Sequence, residues 1–217
     1  MPKNVVCTFG VSITRTSNSG RSTPRGSRMR GDAVVAYPLF QKENGGSIPT
    51  SPLQLEIYEV PLSRARDLNR VWHSRLPLFK TGAAPRCKIN FGAYYDGKFY
   101  AAAIWGMPIS PALPHHTWLE LKRMAICNDA PKNTASRMIK IMTVIIKRRF
   151  PFVTHLCSYQ DEDVHRGTIY KSSGWVIGAY YKGGKNINYN MGRNIFELDN
   201  ENKNAKSPKI RWQKEIR

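Results

Sequence analysis

The chain has no C-x-x-C pair, no uninterrupted apolar run long enough to span a bilayer, and few acids: 15 Asp+Glu against 34 Lys+Arg in 217 residues. Each shortage excludes something. Cysteines 7, 87, 127 and 157 are scattered and lack the spacing of a zinc knuckle or a zinc-type deaminase, so they read as reduced core thiols. The longest strongly apolar stretch, "MIKIMTVII" (138–146), is too short to cross a membrane and is already interrupted by Lys140. The N-terminus lacks the basic, apolar, small-residue order of a secretory signal. No long basic amphipathic helix offers itself to an anionic bilayer surface. The expectation is a soluble, intracellular protein with no membrane partner.

The scarcity of acids leaves a formal net charge of +19 and a pI of about 10.1. Such an excess favours polyanions through counterion release and steers their approach, so nucleic acid is the leading partner. At 41% hydrophobic and 11% aromatic, the chain still has enough apolar side chains for one sizeable core.

Gly, Ser, Thr, Pro and Arg dominate residues 11–50, which contain "RTSNSGRSTPRGSRMRGD" and "QKENGGSIPTS". Residues 1–52 therefore read as a flexible basic arm and linker, with "DAVVAYPLF" as one possible strand inside it. Residues 200–217 read as a polar, basic tail. Both arms, Arg28 and Arg30 included, are expected to grip phosphates with little sequence preference.

Between them, residues 53–199 read as one α/β domain. "LQLEIYEV" alternates as a strand does, and Pro61 opens a helix with Ala65, Leu68 and Trp72 on one stripe. "KINFGAYYDGKFYAAAIWGMPI" is a hairpin turning at Asp96-Gly97. "TWLELKRMAIC" is a strand, and 134–149 is the best helix, with Ala135, Met138, Met142 and Ile145 on its apolar face. "FPFVTHLCSY" and "WVIGAYYKGG" are further strands, and "INYNMGRNIFELD" suits a closing hairpin. Strands alternating with helices after an early hairpin predict a mixed sheet flanked by helices.

Three stretches carry candidate chemistry. "HLCSYQDEDVHRGTIYKSSGW" (155–175) crowds acids into a basic chain. Read as a helix over 161–175, it lines Asp163, Gly167 and Tyr170 along one stripe and Asp161 and His165 along another. Gly167 then leaves a gap between a carboxylate and a phenol, a pair suited to proton transfer, or else lets another strand approach closely. The competing reading of the acids is simple helix capping. In the loop "NDAPKNTASR", Lys132, Asn133, Thr134, Ser136 and Arg137 can supply anion donors at a helix N-terminus, whereas capping alone explains only one of them. In "WHSRLP", His73 and Arg75 either face a cleft or answer a helix dipole. The hairpin aromatics, Tyr94 and Tyr95 among them, serve either as core or as faces on which bases stack.

Strand, polar loop, long helix, strand, then a helix ending "IYKSSGW" resembles the GNAT acyltransferase fold. More narrowly, "LELKRMAICNDAPKNTASRMI" together with "SYQDEDVHRGTIYKSSGW" resembles the Mom family of Mu-type bacteriophage DNA modification proteins. The resemblance covers roughly 53–185. It implies a GNAT-like mixed sheet and an enzyme of the phage-infected host cytoplasm. That enzyme converts adenine in double-stranded DNA to an N6-carbamoylmethyl derivative and shields it from restriction. It further implies acetyl-CoA or a related activated donor, a link to iron, and Tyr170 as the phenolic acid. By position, Asp161 or Asp163 is the carboxylate, Arg123, Asn133 and Ser136 hold the donor, and His73 is a further site candidate. Imidazole and carboxylate ligands suit iron, which makes His73, Asp161, Asp163 and His165 its candidate set. One departure stands out: "NDAPKNTASR" has no glycine, where the GNAT pyrophosphate loop has several. The competing functions are an N-acyltransferase for a protein or small amine and a non-catalytic basic DNA-binding protein.

Overall fold

The computed structural model describes residues 48–73, 76, 78, 87–182 and 207–217, together with the backbone of three short strands nearer the N-terminus. Ten strands form one sheet in the order β1-β2-β3-β4-β5-β6-β7-β8-β10-β9. They are β1 (Val5–Val6), β2 (Ser12–Arg15), β3 (Val34–Ala36), β4 (Glu56–Glu59), β5 (Cys87–Tyr95), β6 (Lys98–Gly106), β7 (Trp118–Ile126), β8 (His155–Asp161), β9 (Val176–Tyr181) and β10 (Lys209–Glu215). Helices α1 (Leu62–Trp72), α2 (Thr134–Arg149) and the one-turn α3 (Thr168–Lys171) complete the fold. No helix among the described residues is long and apolar enough to cross a membrane.

The β5–β6 turn holds Asp96 at φ 44° and Gly97 at φ 83°, the pair of positive φ values that a two-residue hairpin requires. Every pairing is antiparallel except β7–β8, whose connection must return along the strand direction and does so through α2. Helix α2 buries Met138, Met142 and Ile145 on one face of the sheet, against Trp105, Leu119, Leu121 and Leu156. Its last turn carries Lys147, Arg148 and Arg149, which suit the negative end of the helix. Helix α1 lies on the other face, where Ala65 packs with Val60 and Ile104.

Three expectations change. The segment expected as a basic arm contributes β1 to β3, including the strand within "DAVVAYPLF". The C-terminal stretch expected as a tail is β10, inserted between β8 and β9, with Ile210, Trp212 and Ile216 buried. The 161–175 helix shrinks to the four residues of α3, because β8 runs on to Asp161 and Gly167 takes a left-handed φ of 70°. The hairpin expected in 187–199 lies outside the described residues.

Trp212 is 2% exposed and its ring stacks on Tyr170 at 5.5 Å and 14°. Replacing it by Ala should destabilise the fold by about 3–5 kcal/mol in urea unfolding, whereas a solvated tail would show almost no change.

Candidate active site

The parallel ladder between β7 and β8 runs only from Trp118↔His155 to Leu121↔Ser158, although both strands continue. The strands part where the β6–β7 register shifts, so that Trp105 faces Leu121 and Ile104 faces Arg123, leaving Lys122 as the extra residue of a bulge. A bulge turns its strand and frees its peptide groups. Ser158 closes the break from the side: its Oγ donates to the Leu121 carbonyl at 3.1 Å. The Tyr170 hydroxyl lies 2.9 Å from the same Oγ. Because the serine proton is already committed to the carbonyl, the phenol is the donor in this second bond. Burial raises the pKa of Tyr170, so the phenol keeps its proton. Its ring is held between Trp175 and Trp212, while its hydroxyl ends on a polar chain rather than in hydrocarbon.

The turn after α3 also touches the start of α2: Ser173 Oγ, which donates to the Ile169 carbonyl at 2.7 Å, lies 3.3 Å from the Ser136 carbonyl. The segment that follows Tyr170 therefore lies against the turn around 133–136. That turn works differently from its expectation. Thr134 Oγ donates to Pro131 O and Ser136 Oγ to Asn133 O, so both hydroxyls are spent on local caps. Asn133, at φ 67°, supplies the left-handed residue that glycine usually provides, and makes no side-chain cap. The first i→i−4 bond of α2 joins Arg137 N to Asn133 O, which leaves the amides of Ala135 and Ser136 ahead of it. These amides and the exposed Lys132 suit an anionic donor such as the phosphates of a coenzyme. Arg137 turns inward instead and donates to Leu55 O at 2.9 Å.

Other expected site residues are not with Tyr170. Arg123 shares a face with Ile104 and so belongs to the α1 side, away from the α2 turn. The Asp161 carboxylate is taken up by Ser207 Oγ at 2.8 Å, the Asp163 amide at 3.1 Å and Lys209 Nζ at 3.6 Å. It closes a turn and ties β8 to β10. Asp163 is exposed on that turn, so the stripe it was to form with Gly167 and Tyr170 does not exist. Gly167 answers a close approach: a Cβ there would lie 2.4 Å from Gln160 Oε1 and 2.7 Å from the Trp212 ring. Among the described residues no three His, Cys, Asp or Glu side chains could hold a metal, so the four candidate iron ligands form no donor set. Tyr95 is 7% exposed and belongs to the core, while Tyr94 packs edge-on against Tyr58 and Phe99. Cys157 is buried with its thiol pushed up to about 12, chiefly by desolvation, and is unreactive. Arg28, Arg30 and Arg75 lie outside the described residues.

His73 ends α1, where its Nδ1 accepts from the Leu76 amide at 3.1 Å. Burial lowers its pKa to about 4, helped by the positive fields of Arg123 and His165. With Nδ1 accepting, the neutral ring carries its proton on Nε2 and acts there as a donor, not a base. A lowered folded-state pKa means that the unfolded chain takes up a proton first as pH falls. Stability from His73 is thus full above about 6.5 and is lost as pH drops towards 4. His73→Gln should flatten that part of the stability–pH curve in urea titrations, and an unchanged slope would show the imidazole to be freely solvated.

Ser158, Gln160, Trp212 and Arg211 were missed in the sequence. The only signal was the alternation Ile210, Trp212 in a stretch dominated by charge.

Several solved structures share the fold. A Bacillus subtilis acetyltransferase in complex with CoA is 12% identical, with a TM-score of 0.51 over 75% of this chain and 99% of its own. A Streptococcus pneumoniae acetyltransferase of the GNAT family is 14% identical, with a TM-score of 0.50 over 75% and 99%. A Staphylococcus aureus N-acetyltransferase is 13% identical, with a TM-score of 0.50 over 75% and 97%. No curated protein matches the sequence. At such identities the likeness establishes the GNAT acetyltransferase fold alone. The sequence model of the Mom protein family matches residues 54–216, from β4 to the end of β10, and the chain belongs to that family.

Proposed function

We propose that the protein is a phage DNA modification enzyme that transfers a carbamoylmethyl-type group to the exocyclic amine of adenine in duplex DNA. The observation that carries this reading is the phenol of Tyr170 at the parting of β7 and β8, with Ser173 of the same turn against the start of α2. Membership of the Mom family and the net charge of +19 support it.

The exocyclic amine of adenine is a weak nucleophile because its lone pair is delocalised into the ring. The reaction therefore depends on position and on stabilising the leaving group. An acyl-CoA itself would give an N-acyl amide, so the donor is a related activated compound that carries the carbamoylmethyl group on a phosphate-bearing leaving group. The amides of Ala135 and Ser136 and the Lys132 ammonium would hold its phosphates. The new N–C bond forms as the bond to that leaving group breaks, and the amine proton passes to solvent. Tyr170 supplies a proton to the leaving group by turning its O–H from Ser158 towards the gap, a rotation about a single C–O bond. Burial keeps that proton in place until it is needed. Arg123 and the Nε2–H of His73 present positive and donor groups from the α1 side. Lys and Arg on the surface bind the DNA backbone, with a steep dependence on salt.

The reading is tested by mass spectrometry of nucleosides from DNA of cells expressing the protein. A new adenine derivative should appear with the wild type and vanish with Tyr170→Phe, while duplex binding is retained. Ser158→Ala removes both the resting partner of the phenol and the donor to the Leu121 carbonyl, and should lower modification by about tenfold or less. Acyl-CoA turnover on a protein or small amine, with DNA left unmodified, would move the assignment to an N-acyltransferase. Salt-sensitive duplex binding with no turnover at all would leave a non-catalytic DNA-binding protein.

A further inference from the structure

The sheet face opposite α2 carries a second constellation that the Tyr170 chemistry does not use. Strand pairing puts Trp118 beside His155 and Glu120 beside Cys157, and two residues further along β8 it puts Tyr159 beside Arg211. Under α1 this face is apolar at Val60 and Ile104, whereas beyond it, over β8 and β10, it is aromatic and ionisable. The rings of Trp118 and His155 lie parallel, 4.5 Å apart at 6°. Tyr159 and Tyr181 meet at 5.8 Å.

Between the two aromatic pairs lies the guanidinium of Arg211. Its Cζ is 6.0 Å from the centre of the Trp118 ring, and Nη1 is 3.4 Å from the Tyr181 hydroxyl. Nη2 reaches Gly178 O and Gln213 Oε1, both at 3.4 Å, and Nε is buried with no partner. A group with five donors is thus met only at the long limit of hydrogen bonding, which leaves it short of acceptors. Tyr181 is 41% exposed and the other three rings are half-buried, so the face can be reached from outside.

We infer that this face seats a nucleobase taken out of its helix, with the ring against the aromatic pairs and Arg211 donating to acceptor nitrogens on its edge. The inference rests on the DNA-modifying reading above and locates its acceptor. A lone phosphate would satisfy Arg211 without needing four rings, and a cationic amine would be repelled by Arg211, since the Glu120 carboxylate is already met by Lys122. A purine needs both features, a π-face to stack and an acceptor edge to be met. The seat also lies at the right place. Glu120 and Cys157 immediately precede the last paired residues of β7 and β8, and Tyr159 immediately follows Ser158. A base on this face and a donor on the α2 face thus approach the same gap from opposite sides.

The experiment uses the full chain and duplexes carrying 2-aminopurine in place of adenine, in varied sequence contexts. The wild type should bring a rise in 2-aminopurine fluorescence as the base leaves the stack. Trp118→Leu, Arg211→Met and Tyr181→Ala should each cut that rise about tenfold, with duplex affinity by anisotropy changed less than about threefold. The exposed Tyr181 keeps the test valid if a more buried variant fails to fold. Tyr170→Phe should leave the rise intact. A full rise in all three variants overturns the inference, as does a wild type that binds duplex without any rise. A loss of affinity in Arg211→Met with the rise unchanged overturns it in favour of a phosphate contact. A normal rise that depends on these residues, with cellular DNA left unmodified, upholds the seat and removes the catalytic reading alone.

Discussion

Two parallel strands cannot part inside a sheet without leaving peptide groups that need new partners. In this protein the parting follows Leu121 and Ser158, and one serine hydroxyl repairs it by donating to the orphaned carbonyl. The repair fixes the direction of the next bond, from the Tyr170 phenol to that hydroxyl. It also sets the phenol at the point where β7 and β8 part. The bulge at Lys122 and the packing of α3 against α2 are arranged around this break.

Strand β10 couples the break to the rest of the molecule. Because side chains alternate across a sheet, adjacent residues of one strand serve opposite faces. Trp212 stacks on Tyr170 and donates to Gln160 Oε1 at 2.6 Å, while Arg211 joins the aromatic face on the other side. Gln160 in turn holds the His165 carbonyl, and the absence of a side chain at Gly167 lets these groups close up. The last strand of the chain therefore holds the phenol from behind.

Among the described residues, three acids serve as structural partners. Asp161 gathers a hydroxyl, an amide and a lysine, and Asp129 meets Lys98 at 2.9 Å on the surface. Glu120 is 4% exposed, accepts from the Ile109 amide at 2.7 Å and lies 3.9 Å from Lys122. Burial raises its pKa against the field of that lysine. With these acids engaged, the positive excess faces outward, where a polyanion can use it.

The order of strands and helices from β4 to β9 was legible in the sequence because each element carries a local period or turn signal. The 134–149 helix shows its stripe, and Asp96-Gly97 shows its turn. Tyr170 was legible through its motif. The helix over 161–175 was misread because acids and a glycine have the right spacing for one, while the decisive facts are distant. Gln160 and Trp212 press on Gly167 from across the sheet, and strand pairing with β10 carries β8 through to Asp161. Arg123, expected to hold the donor with Asn133 and Ser136, lies on the α1 side because a single bulge residue reverses which way a strand's side chains point. Sequence alone thus determined the order of elements from β4 to β9 and the motif that contains Tyr170. Only the tertiary structure decided what surrounds the phenol, because the β7–β8 parting, the insertion of β10 and the Arg211 face all arise from pairings between residues far apart in the chain.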